Sequence, residues 1–364
     1  MRPDAAGRSG PVAIGGLGVG STGTRSAAGA SATYVRRNVS DATGAIALGA
    51  FAAWSLITAA ATGGRPEGVL LAVLAVAAGY AAGRICGALL PVAAPCVGAF
   101  AGLGLAVTAP HGSPLTAPIG HSGATAALLA LSTGAACCAA WAARVPGPRL
   151  ALCLLAVGIT VTAAVLGSTT GFVACAGVLL CSLAAARTRR RGPGLVGLAL
   201  VTALMTGAAW AVADNSLPEG LAYALEGRLT QHRVLLWRDA LALAHGDPLL
   251  GAGPGRFGEL SPTVAQSLPI DGKPHSAPLQ VAAELGLVGV VLLGAVFCWV
   301  LYVLWRAPRP TPVVLTAAAT LTALAAIAAV GNALSFTTVT VGAGLLAGTA
   351  TARPLLDEEE PEGS

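Results

Sequence analysis

The sequence predicts an all-α fold, a polytopic bundle of about ten transmembrane helices with one large extracytoplasmic loop containing short amphipathic helices. Three observations predict it. Of 364 residues, 55% are hydrophobic and only 10% are charged, against about 25% charged in a soluble domain. Mean hydropathy is +0.75, which leaves too little polar surface to hold the folded chain in water. Apolar runs of membrane-crossing length also recur along the chain, each set against a hydrocarbon thickness of about 30 Å.

The runs fall at roughly 42–62, 68–83, 85–109, 121–143, 149–167, 170–186, 193–213, 283–305, 312–331 and 335–352. Only "GRICG", Gly83–Gly87, separates the second from the third. Gly and Ala abound in these runs, which suits close helix packing in lipid. Residues 1–40, rich in Gly, Ser and Ala, read as a disordered cytoplasmic tail. Their "PVAIGGLGVG" is too glycine-rich for a signal-peptide core. Residues 41–353 read as the transmembrane domain, and 354–364 as a solvated acidic tail.

The formal net charge of +5 is not a nucleic-acid signal, because the cations fall between apolar runs. They act as topology signals instead. With the N-terminus inside, the inner loops hold Arg36, Arg37, Arg84, Arg144, Arg149, Arg187, Arg189, Arg190, Arg191, Arg306, Arg309 and Arg353. The short outer loops hold only Arg65. This predicts a multi-pass protein of the cell membrane with both termini cytoplasmic. The eight cysteines lie inside apolar runs with no C-x-x-C spacing, so they read as small packing residues, and no metal site is expected.

The loop 214–282 is the exception to the charge pattern. It lies outside yet carries Arg228, Arg233, Arg238, Arg256 and Lys273. Long loops escape the charge rule, so the topology stands. "EGRLTQHRVLLWRDALALAHG" places Val234, Leu235, Trp237, Leu241 and Leu243 along an amphipathic helix at the bilayer surface. Arg233 and Trp237, four apart, share a face. "DPLLGAGPGRF" then stops the helix and turns the chain. It is neither a Rossmann nor a Walker loop, since it follows a helix and no G-K-[ST] comes after it. Further on, Pro278 suits the first turn of a helix continuing into the next span. His275 precedes that helix, whose positive dipole end disfavours imidazolium and keeps a histidine available as a base.

Taken together, R-x-x-x-W, a helix, "DPLLGAGPGRF", a loop and then "HSAPLQVAAELGLVG" resemble the O-antigen ligase and O-antigen polymerase superfamily, integral-membrane glycosyltransferases of the GT-C type. The resembling stretch runs from about Arg228 to Val291, and "PIGHSGATAALLAL", Pro118–Leu131, is similar to the family's G-Y-x-N-A at the start of an earlier span. The resemblance implies transfer of a glycan from a polyprenyl-diphosphate donor to an acceptor hydroxyl at the outer membrane face, in polysaccharide biosynthesis for the cell envelope. It implies no metal and no cofactor. The partners would be the polyprenyl-diphosphate-linked glycan donor, a glycan, lipid or protein acceptor, and the membrane itself.

Carried to this chain, the family's loop histidine is His275, the base or acceptor-orienting group. The diphosphate-binding arginine is Arg233, and its tryptophan is Trp237, an anchor. Arg256, Arg228 and Lys273 are supporting substrate contacts. Such a site needs a base of near-neutral pKa and fixed cations for the leaving diphosphate. The chain departs from the family in three places. Ser276 stands where asparagine is frequent, and serine can cap a helix. The S-R-G of the sixth span is "GSTTG", Gly167–Gly171, with Thr170 or a neighbour in the arginine's place. His121 replaces an aromatic near the fourth span. Two other readings stay open: a transporter of the same lipid-linked glycan, which the scarcity of ionisable residues inside the runs disfavours, and a non-catalytic membrane partner in polysaccharide assembly.

Overall fold

The computed structural model describes residues 22–108, 120–216, 231–266, 272–353 and 355. Arg228 and both terminal tails, at 1–21 and 356–364, lie outside them. Met1–Thr43 is one unit and Gly44–Ser364 another; the second holds the bundle. The helices are α1 (Thr22–Thr62), α2 (Glu67–Leu89), α3 (Ala93–Thr108), α4 (Gly120–Ala142), α5 (Pro146–Val165), α6 (Thr169–Arg187) and α7 (Arg191–Ala213). They continue as α8 (Gln231–Gly246), α9 (Phe257–Leu260), α10 (Pro262–Gln266), α11 (Ala277–Arg306), α12 (Thr311–Val330) and α13 (Thr337–Thr351). No strand occurs among the described residues. α1 reaches back across the tail boundary expected at Ser40.

Every predicted apolar run falls on helix, but the run 85–109 is divided between the end of α2 and α3. Eight are long and apolar enough to cross a membrane. The 16-residue α3 and the 15-residue α13 are shorter, about 24 and 22 Å. Helix packing fits a crossing α3 if α13 and the other intervening helices also cross. Gly79, Gly83 and Gly87 of α2 lie against Val341, Leu345 and Thr349 of α13, and Gly344 and Gly348 lie against Val76 and Tyr80. The numbers rise together, so α2 and α13 run parallel. A Cβ at Gly83 would strike the Leu345 carbonyl, so this contact exists only because both backbones lack side chains there. Parallel membrane helices need an odd number of crossings between them. The intervening helices α3–α7, α11 and α12 supply that number only if α3 spans.

The break between the second and third runs is not at "GRICG". α2 continues to Leu89, and the chain turns at Leu90 (φ −131°) ahead of Pro91. Proline pushes the preceding residue out of the α region, whereas Gly83 and Gly87 are retained as packing surface. Arg84 consequently sits within α2, where it donates to the Tyr80 hydroxyl at 3.1 Å.

Alternating crossings sort the turns to two ends. One end gathers the α2–α3, α4–α5, α6–α7 and α11–α12 turns with most of the arginines. There Arg191 donates to the carbonyls of Ala307 (2.7 Å) and Arg309. Arg309, 5% exposed, donates to Ala352 (2.9 Å) and Gly87 (2.7 Å), closing the carboxyl ends of α13 and α2 together. The other end gathers the α1–α2, α5–α6 and α12–α13 turns and the 214–276 loop.

Candidate functional site

The loop end is built around α8. Val234, Leu236, Trp237, Ala240 and Leu241 are buried there with Ala209, Val212 and Ala213 of α7 and Leu279 and Ala283 of α11. Leu235, expected on this face, is instead 47% exposed, and Leu236 takes its place. The buried positions step by three and four, the period of one helical stripe, and Leu235 falls outside it. α8 is therefore packed onto the bundle through its apolar face, with Trp237 only 1% exposed at the centre.

Helix α11 is broken at Gly286 (φ 67°, ψ −167°), a backbone region open essentially only to glycine. The break frees backbone groups, and the glycine-rich turn takes them up. Ala252 N–H donates to Ala283 (2.8 Å), Gly253 N–H to Glu284 (3.0 Å), and Leu287 N–H to Pro248 (2.8 Å). On its other side the turn receives Arg65 N–H at the Pro254 carbonyl, 2.7 Å. "DPLLGAGPG" is thus a wedge between the broken helix and the α1–α2 turn. Gly251, Gly253 and Gly255 all have positive φ, and a Cβ on Gly251 would meet the Glu284–Gly286 backbone.

Arg233 lines a cavity of about 200 Å³ with Ser168, Thr169, Thr170, Val330 and Asn332. One guanidinium nitrogen donates to the Val330 carbonyl at 3.3 Å. Nε is buried with no hydrogen-bond partner among the described residues. Burial pushes the Arg233 pKa down from its ordinary value, yet arginine keeps its charge at any physiological pH. Thr169 and Thr170 open α6, whose Ser168 cap accepts from Gly171 N–H at 3.1 Å. The cavity thus faces a partly buried cation towards a helix amino end, two features that both favour an anion. The missing S-R-G arginine would belong to this same wall.

His275 is 4% exposed and has a left-handed backbone (φ 53°). It precedes α11, and Pro278 sits in that helix's first turn as expected. Ser276 occupies the cap position, but its hydroxyl makes no capping bond. That hydroxyl, like Trp237 Nε1, is buried without a partner among the described residues. Both belong to the α8–α11 junction that also carries Arg233. Buried polar atoms are nearly always paired, so three unpaired ones on two packed segments call for an explanation.

The remaining expected residues lie elsewhere. Arg256 donates to the Thr62 carbonyl at 2.8 Å and approaches Glu259 at 3.9 Å, so it ties the turn to α1 and lines neither cavity. Lys273 lines a second, larger groove of about 380 Å³ between α1, α2, α11, α12 and α13. Arg65, Gln280 and Glu284 share its mouth. His121 lies in the first turn of α4, and its side chain is outside the described residues. Sequence reasoning missed Thr169, Asn332, Gln280 and Glu284. Glu284 has one signal in the sequence, a carboxylate in an apolar run; α11 starts at Ala277, ahead of that run, and buries it to 5% exposure. No group of three His, Cys, Asp or Glu side chains among the described residues could hold a metal ion.

Residues 150–294 match the family model described as O-antigen ligase. Over that stretch the chain is similar to O-antigen ligases. The match spans α5 to the middle of α11, contains Arg233, "DPLLGAGPGRF" and His275, and supports the resemblance to the O-antigen ligase and polymerase superfamily. It covers less than half of the chain and leaves Pro118–Leu131 outside. No curated protein and no solved structure matches the chain.

Proposed function

We propose that this O-antigen ligase-type protein transfers a glycan from a polyprenyl-diphosphate donor to an acceptor hydroxyl at the outer face of the cell membrane. The observation that carries the reading is the cavity in which Arg233 faces the amino end of α6. The acceptor oxygen attacks the anomeric carbon of the donor sugar. As that C–O bond forms, the bond from the anomeric carbon to the diphosphate oxygen breaks, and the lipid diphosphate leaves with the electron pair. His275 takes the hydroxyl proton. Arg233 meets the charge growing on the leaving oxygen with planar donors that are partly desolvated and held at the Val330 carbonyl, which limits the reorganisation needed. Thr169 and Thr170 offer hydroxyls, and the α6 dipole adds a weak positive field. In this reading arginine does the electrostatic work and no metal takes part.

The orientation follows from the arginine distribution. The arginine-rich end faces the cytoplasm and the loop end faces outward. Purified wild-type protein should transfer glycan from a polyprenyl-diphosphate donor, and His275→Ala should remain in the membrane without transferring. Near-normal product from His275→Ala would remove the base assignment.

A further inference from the structure

The turn between α12 and α13 holds a polar side chain that no step of the transfer uses. Asn332 lines the Arg233 cavity and is only 7% exposed. It follows Gly331, which ends α12, and opens the single-turn helix Ala333–Ser335. Its side chain makes no capping bond there. Instead the Ser335 hydroxyl donates to Asn332 Oδ1, and Ser335 N–H donates to the Asn332 carbonyl at 3.4 Å. Ser335 thus holds Asn332 through both side chain and backbone.

An amide carries one acceptor oxygen and two N–H donors. With Oδ1 taken by Ser335, the donors on the other branch of the amide remain, and nothing among the described residues accepts from them. Idle donors on a side chain this deeply placed call for a ligand or a water. The rest of the cavity says which ligand. Arg233 supplies a cation, and Thr169 and Thr170 supply hydroxyls at the amino end of α6. No lining side chain is a carboxylate. Gly123 belongs to the same wall, and a Cβ on it would lie 3.7 Å from the Asn332 backbone nitrogen and 3.9 Å from that of Ala333. Glycine there keeps a side chain off two successive backbone amides. Cation, helix amino end and amide donors all favour an oxyanion with several acceptor oxygens.

Resting on the glycosyltransferase reading above, we infer that Asn332 is a further binding residue for the donor diphosphate, its Nδ2 donating to a phosphate oxygen in the Arg233 cavity, and that Ser335 is the positioning residue that keeps the amide turned that way. A neutral amide adds hydrogen bonds to the anion without the cost of desolvating a second charge beside Arg233. The diphosphate is charged before and after its bond to the sugar breaks, and a neutral donor meets both states alike. The contribution therefore falls on donor KM and leaves kcat little changed.

The test uses the full chain in nanodiscs of zwitterionic lipid, with inorganic pyrophosphate as the probe and equilibrium dialysis as the readout. Asn332→Asp is the decisive variant. The carboxylate keeps the side-chain size and an acceptor for Ser335, but it removes both donors and adds a charge of the anion's own sign. Pyrophosphate affinity should fall about tenfold or more. Ser335→Ala should lower it about fivefold, and Ser335→Thr, which restores the hydroxyl, should return it to the wild-type value. Should Asn332→Asp fail to fold, the Ser335 pair carries the same test. No pyrophosphate binding by the wild type, or wild-type affinity in Asn332→Asp, overturns the assignment. Displacement of pyrophosphate by anionic lipid in the nanodisc would give the cavity to a headgroup and refute it as well. In transfer assays Ser335→Ala should raise donor KM about fivefold with kcat and acceptor KM little changed; a fall in kcat with donor KM unchanged would refute the positioning role. Pyrophosphate binding needs no catalysis. Binding that is lost in Asn332→Asp, in a protein that transfers no glycan, would defeat the glycosyltransferase reading and leave the Asn332 site standing.

Discussion

Replacing Gly286 with alanine should detach the glycine-rich turn from α11 while the helices stay in place. Gly286 has φ 67° and ψ −167°, and an L residue held there costs about 1–3 kcal/mol. The new methyl would also strike the Leu249 carbonyl and lie 2.9 Å from that of Pro248. The turn must therefore move away. It then gives up the bonds from Ala252, Gly253 and Leu287, each worth about 1 kcal/mol. The sum is about 4–6 kcal/mol, a large part of the 5–15 kcal/mol that holds a typical domain. The loss is local, so Gly286→Ala should still enter the membrane. Limited proteolysis should cut within 247–276, and transfer activity should fall with it. Gly294→Ala on the same helix is the control, since a Cβ there meets nothing within 4 Å. A Gly286→Ala protein as protease-resistant and as active as Gly294→Ala would refute the wedge.

Arg233→Lys should lower kcat/KM about a hundredfold, the scale of losing one preorganised donor to developing charge, because a point charge does not replace a planar fork; full activity would reduce Arg233 to a packing role. Thr170→Arg should lower donor KM about tenfold if that wall faces the diphosphate, and an unchanged donor KM would separate Thr170 from the donor. A chelator should leave initial rates untouched; inhibition reversed by added divalent cation would point to metal-assisted chemistry.

Much of the fold was legible because a membrane span announces itself by length and apolar content alone. The helices α4 to α7, α11 and α12 fall close to the predicted runs. The α2–α3 boundary was misplaced because glycine signals both a turn and a packing surface. Only the partner helix α13 reveals which meaning Gly83 and Gly87 carry. Within the loop, the spacing of Val234, Trp237 and Leu241 was enough to place α8, and Pro278 to place the start of α11. What was not legible is tertiary. Nothing local to "GSTTG" says that Thr169 and Thr170 face Arg233, or that the α12–α13 turn brings Asn332 to the same cavity. Nor does the glycine-rich turn itself show where Arg256 bonds, because the Thr62 carbonyl that receives it is almost two hundred positions away in sequence. Leu235 was misassigned because it and Leu236 are equally apolar, and only the packing of α7 and α11 decides which one faces inward.

The measurement that bears most directly on the account follows both products of one reaction. Purified protein is given a polyprenyl-diphosphate-linked glycan and a lipid-borne glycan acceptor, and released lipid diphosphate is quantified beside elongated acceptor. The account predicts that the two appear in equal amounts, and that both disappear in His275→Ala. Elongated acceptor formed at the wild-type rate by His275→Ala, or no consumption of donor by the wild type, would contradict it.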